Sequence, residues 1–159
     1  AQEEAIVSVV STLLERFSLK AESAVTYHAW WTADGKYLGD YVKGKNPDVK
    51  IVAVEPSADD KYLTGIHNFT DVPAERVPVN IREKIYDEVF VAEKDGAFAA
   101  AQEVAKTDGV LVGISSGAAL WGALQIASRP EYEGKEIVVV LPDTGLRYLS
   151  TDLFKAQKL

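Results

Sequence analysis

Ser115 and Ser116 stand between Gly113 and Gly117, where the apolar run Val110-Leu-Val-Gly-Ile114 passes into the small-residue segment Ala118-Ala-Leu120. A strand that feeds straight into a helix leaves the first N–H groups of the helix without intrahelical partners. The helix dipole favours negative charge at the same place. Glycines on either side let another group approach the backbone, and two hydroxyls are available to donate. Ser115, Ser116 and Gly117 are therefore candidate ligands for an anion or a phosphate ester. The plainer alternative is a strand–helix junction in which one serine is the N-cap. The Gly-x-Gly-x-x-Gly spacing of dinucleotide sites is not met.

Other residues admit other chemistry. His28 and His67 are the only histidines. His28 beside Ser115 would make a Ser–His dyad, yet there is no Gly-x-Ser-x-Gly context and no acid tied to it by spacing, so a structural strand histidine is the simpler reading. Two histidines with Glu55 or Asp71 lack the i,i+4 spacing of a metal site, and no metal is expected. Tyr27, Trp30 and Trp31 either line an aromatic pocket or interface or fill a cleft as core residues. Asp143, Thr144 and Gly145 read as the cap of a last helix. Glu83, Lys84, Asp87 and Glu88 read as a solvated face.

The elements that must position these residues follow from periodicity. Residues 1–20 form an amphipathic helix, with Ile6, Val9, Val10, Leu13, Leu14 and Phe17 on one side. Strands are expected at 23–31, 50–55, 87–92, 109–114 and 137–141, and helices at 34–45, 93–106, 115–128 and from about 148. Ser57 caps a short helix through Leu63, inside an irregular, loop-rich crossover over 57–80 punctuated by Gly65, Pro73, Pro78 and Asn80. The near-continuous apolar runs Ile51-Val-Ala-Val54 and Ile137-Val-Val-Val-Leu141 belong to strands covered on both faces. The fold class is α/β: a three-layer α/β/α sandwich with an open, mainly parallel, Rossmann-like sheet of about five strands. Ligands of such sheets bind at the carboxyl ends of the strands.

Bulk properties narrow the function. At 159 residues, 47% of them hydrophobic and 26% charged, a single globular domain over residues 1–159 is expected. A net charge of −7 with no basic cluster argues against nucleic acid. No apolar run has the length of a membrane span, and no signal peptide is recognisable, so a cytoplasmic protein is expected, as monomer or homodimer without a defined partner. Cysteine and methionine are both absent, which removes thiolate chemistry and suggests a chain edited to exclude sulfur.

Three blocks resemble the large domain of the cysteine synthase family, pyridoxal-phosphate enzymes of fold type II. They are Lys45-Asn-Pro-Asp-Val-Lys-Ile-Val-Ala-Val-Glu-Pro56, Gly109-Val-Leu-Val-Gly-Ile-Ser-Ser-Gly-Ala-Ala119 and Ile137-Val-Val-Val-Leu-Pro-Asp-Thr-Gly-Leu-Arg-Tyr-Leu-Ser-Thr-Asp-Leu-Phe154. The resemblance runs from about Tyr41 to Phe154. It implies cofactor chemistry at the strand ends, with the Thr144 hydroxyl in the place of a family serine that bonds the pyridine nitrogen. It also implies a Schiff-base lysine in an N-terminal region with no counterpart in these residues.

Other positions depart from the family. Its phosphate loop Gly-Thr-Gly-Gly-Thr aligns with Trp30-Trp31-Thr32-Ala33-Asp34, and its Gly-Ile-Gly-Ala-Gly-Phe loop with Gly65-Ile-His-Asn-Phe69. Indoles block close backbone approach to phosphate, and Asp34 repels it. The expectation is a stand-alone domain redesigned from this family, with no catalytic activity and no cofactor. Ser115, Ser116, Gly117 and Thr144 are then vestigial cofactor-binding positions. A binding module for a small molecule or anion at the strand ends, and a residual enzyme half that needs a partner chain, are the alternatives.

Overall fold

The structure is a computed structural model, and it describes residues 24–27, 38–77 and 86–155. The N-terminal helix expected over 1–20, His28, Trp30, Trp31, the Asp34 cap and the pair Glu83 and Lys84 lie outside the described residues.

Among the described residues, four parallel strands form a sheet: β1 (Ala24–Tyr27), β2 (Lys50–Pro56), β3 (Glu88–Ala92) and β4 (Ile137–Val139), in the order β3-β2-β1-β4. Register pairs Val25 with Ile51 on one side and with Val138 on the other, and Val52 with Glu88. The chain steps outward from β1 through β2 to β3, then returns to the opposite side of β1 for β4. The strand order therefore reverses between β1 and β4, and a crevice opens at the carboxyl ends of such a pair.

The helices are α1 (Leu38–Lys45), α2 (Lys94–Thr107), α3 (Ile114–Ala127) and the single turn α4 (Asp152–Lys155). Alternation along β2 sends Val52 toward Ile126 of α3, in contact with Phe90, and Ala53 to the other face, with Phe69, Tyr86 and Val89. The helices α2 and α3 meet through small residues. A Cβ on Gly117 would strike the carbonyl of Ala97, so only glycine allows this approach. The main core joins Ala97, Ala101, Ile114 and Ala118 to Leu63, Ala92, Val112 and Leu153.

Several expectations are corrected. Residues 109–114 do not add a fifth strand. Gly113 N–H donates to Asp143 O and Gly145 N–H to Leu111 O, so this segment pairs with the loop after β4 through one antiparallel bridge, Val112 with Thr144. No helix spans 57–63, because Asp60 Oδ1 accepts from the N–H groups of Tyr62 and Leu63 and holds them in a turn. The crossover is otherwise irregular as expected through Val77, with one short 3-10 turn at Ala74–Arg76. Asp87 and Glu88 do not form a free solvated face. Asp87 meets Lys43 at 2.7 Å and Glu88 meets Arg129 at 2.6 Å, tying α1 and the end of α3 to the start of β3. The last stretch begins earlier than Tyr148, as a 3-10 helix over Gly145–Tyr148 that precedes α4.

Candidate functional site

Two connections converge at the carboxyl edge of the sheet. One is the turn from residues 110–113 into α3, and the other is the loop 140–145 that follows β4. They are held together by the antiparallel bridge between them, so Ser115 and Ser116 lie beside Asp143, the neighbour of Thr144, while Gly117 faces Ala97 of α2. Ser116 and Asp143 thus meet across 27 residues of sequence.

The anion of this site is part of the chain. Asp143 Oδ1 accepts from Ser116 N–H at 2.9 Å and from the Ser116 hydroxyl, and Oδ2 accepts from Ser115 N–H at 3.1 Å. A carboxylate from a distant loop therefore caps α3 where its dipole is positive and its N–H groups are otherwise orphaned. Neither serine is the N-cap. That position belongs to Gly113, whose extended backbone provides no side chain. A Cβ on Gly113 would run into the Asp143 carboxylate and the Tyr148 ring, so the glycine makes room for the contact. Asp143 does not cap the helix that follows it, as the sequence suggested; Thr144 caps the 3-10 helix Gly145–Tyr148, its hydroxyl oxygen accepting from Leu146 N–H at 3.4 Å. Burial, and then the adjacent Asp143 charge and hydrogen bond, raise the Tyr148 hydroxyl above its ordinary value.

The hydroxyls divide into two kinds. Ser116 is fully buried and fully engaged with Asp143. Ser115 is 7% exposed, and its hydroxyl makes no hydrogen bond among the described residues; it faces Gly65, where a Cβ would come within 2.6 Å of it. Gly65 takes φ +107° and so opens the loop that follows. That loop is anchored by Glu55, completely buried at the end of β2, which accepts from Phe69 N–H at 2.7 Å, Thr70 N–H at 3.1 Å and the Thr70 hydroxyl. Its carboxylate is thus engaged with the crossover, and no cluster of potential metal ligands occurs among the described residues. Sequence reading missed both anchoring roles. The only signals were an acid at the end of an apolar strand and an acid just after a Pro.

Known proteins are similar to this chain in sequence and in fold. Residues 36–143, more than half of the chain, match the family described as "Pyridoxal-phosphate dependent enzyme". Cysteine synthase of Staphylococcus aureus is 38% identical over 120 residues, which is 74% of this chain and 38% of that protein. The chain therefore spans well under half the length of this relative. Among solved structures, O-acetyl serine sulfhydrylase isoform 3 of Entamoeba histolytica superposes with a TM-score of 0.72 at 34% identity, over 96% of this chain and 46% of that one. An O-ureido-L-serine synthase superposes with a TM-score of 0.71 at 28% identity, over 95% and 49%.

The described residues fit pyridoxal phosphate only in part. The exposed Thr144 hydroxyl has a proton to offer a pyridine nitrogen. The N–H groups at the start of α3 already hold a carboxylate, and residues 30–34 lie outside the described set. Lys94, which follows β3 at the carboxyl edge, has its ammonium over the rings of Tyr62 and Phe98. Sequence match, superposition and strand-end geometry together establish that the chain belongs to the pyridoxal-phosphate dependent enzyme family, as a fold type II domain like that of cysteine synthase.

Proposed function

We propose that this chain is an α/β scaffold domain of the pyridoxal-phosphate family whose own residues carry out no cofactor chemistry. The observation that supports this is the Asp143 carboxylate on the N–H groups of Ser115 and Ser116. A phosphate brought to those groups has to displace a carboxylate that also holds the Ser116 hydroxyl, and meets its negative charge until it does. Ser115, Ser116, Gly117 and Thr144 then keep their places for structural reasons, as a helix start and a cap. Two indoles and an acid at the positions aligned with the family's phosphate loop point the same way. The absence of every cysteine and methionine supports an origin by redesign.

A second reading, a small-molecule module at the strand ends, is favoured by one observation. The buried Ser115 hydroxyl, which faces Gly65, is left without a partner among the described residues. Equilibrium dialysis against pyridoxal phosphate, followed by incubation with O-acetylserine and sulfide, tests both. The scaffold reading expects no retained cofactor and no cysteine formed. Retained cofactor without turnover supports the binding module, and cysteine formation overturns the scaffold reading.

A further inference from the structure

The sequence holds three Asp-Gly pairs. Asp34-Gly35 lies outside the described residues, Asp95-Gly96 sits in the first turn of α2, and Asp108-Gly109 follows its last turn. The two pairs on α2 have opposite surroundings. Gly96 is pressed against the Trp121 indole, which a Cβ there would strike. Gly109 takes φ +70°, and a Cβ there would meet nothing within 4 Å. Asp108 N–H donates to Val104 O at 3.0 Å, and Val110 N–H returns to the same carbonyl at 3.4 Å. The Gly109 N–H between them makes no hydrogen bond among the described residues. Asp108 and Gly109 are both exposed, and the Thr107 hydroxyl donates to Asp108 Oδ2.

From this geometry we infer that Asp108-Gly109 is a site of spontaneous isoaspartate formation, and the labile one of the two pairs on α2. The Gly109 nitrogen attacks Asp108 Cγ, forming a C–N bond. A carboxyl C–O bond breaks, and one water leaves with that oxygen, the amide proton and the acid proton. One water then adds to either carbonyl of the resulting succinimide. Opening at one carbonyl restores aspartate; opening at the other routes the main chain through Cβ as isoaspartate. Both steps exchange only water. Attack requires Asp108 to leave its C-cap conformation at ψ −6°. The unbonded, open Gly109 peptide permits that rotation, while at Gly96 it would break the helix and its contact with Trp121. The extra main-chain carbon would enter just before residues 110–113, which pair with 143–145.

The test incubates the intact protein at neutral pH and physiological temperature in heavy-oxygen water, then digests it and separates the peptides. The Asp108 peptide should split, giving a second species that carries heavy oxygen and accepts a methyl group from protein isoaspartate methyltransferase. The Asp95 peptide should remain single over the same period. Asp108→Glu should abolish the second species at that position. Conversion at Asp95 ahead of Asp108 would overturn the inference. So would an unconverted Asp108 in the protein when a free peptide of residues 104–112 converts.

Discussion

Asp143 sets the character of the strand-end cluster, because its one carboxylate takes the first N–H donors of α3. Hydrogen bonds to a charged group contribute roughly 1.5–3 kcal/mol each, and a helix cap typically about 1. Since the lost bonds are partly replaced by water at a half-buried site, Asp143→Ala should lower unfolding free energy by about 1–3 kcal/mol in urea titrations. An unchanged midpoint would mean that the cap is not formed. Asp87 gives a second prediction at this scale. Burial alone would raise its carboxyl, but the Ile51 N–H and Lys43 outweigh burial and hold it below the ordinary value. Its folded pKa is thus lower than its unfolded one. The stabilisation is complete above the unfolded value, about 3.9 for a free aspartate, and is lost as pH falls through the folded value. Comparison with Asp87→Asn across this range should show the stability gap present at neutral pH and closing in acid. A gap independent of pH would contradict the assignment.

At the scale of elements, the sheet and long helices were legible because each obeys a local rule. Ile51 to Val54 reads as a buried strand from β-branched and small apolar residues alone, and α2 and α3 fall within two residues of their expected spans. What failed was pairing between segments distant in sequence. Val110 to Gly113 is as apolar as a strand, yet Leu111 O and Gly113 N–H pair with Gly145 and Asp143 of the loop after β4, a choice no local pattern encodes. The helix expected at 57–63 failed for the opposite reason: Asp60 captures two nearby N–H groups before a helix can use them. Glu55 shows the same limit, since its partners Phe69 and Thr70 lie in an irregular loop. Glu55→Ala should speed amide exchange at Phe69 and Thr70 far more than at β2 itself, read residue by residue by NMR. Uniform acceleration across the sheet would indicate a general loss of stability instead of a released loop.

Across the whole molecule, the parallel sheet and the reversal of strand order between β1 and β4 put the candidate residues where ligands of this architecture bind. Family membership was legible from three sequence blocks, and the match over residues 36–143 agrees with it. Invisible in those blocks was that the site's anion is internal, because Asp143 and Ser116 become neighbours only once the bridge between Val112 and Thr144 has formed. No helix among the described residues is long and apolar enough to cross a membrane.

Whether Asp143 fills the anion seat of α3 is decided by an amide NMR titration. Inorganic phosphate, and then pyridoxal phosphate, would be added to the wild-type chain and to Asp143→Ala. With the seat filled by Asp143, the wild-type Ser115 and Ser116 amides should stay in place, while in the variant the same peaks should move and saturate with phosphate. Saturable shifts confined to residues 114–117 and 143–145 of the wild-type chain would contradict it, and would mean that the seat is open to ligands.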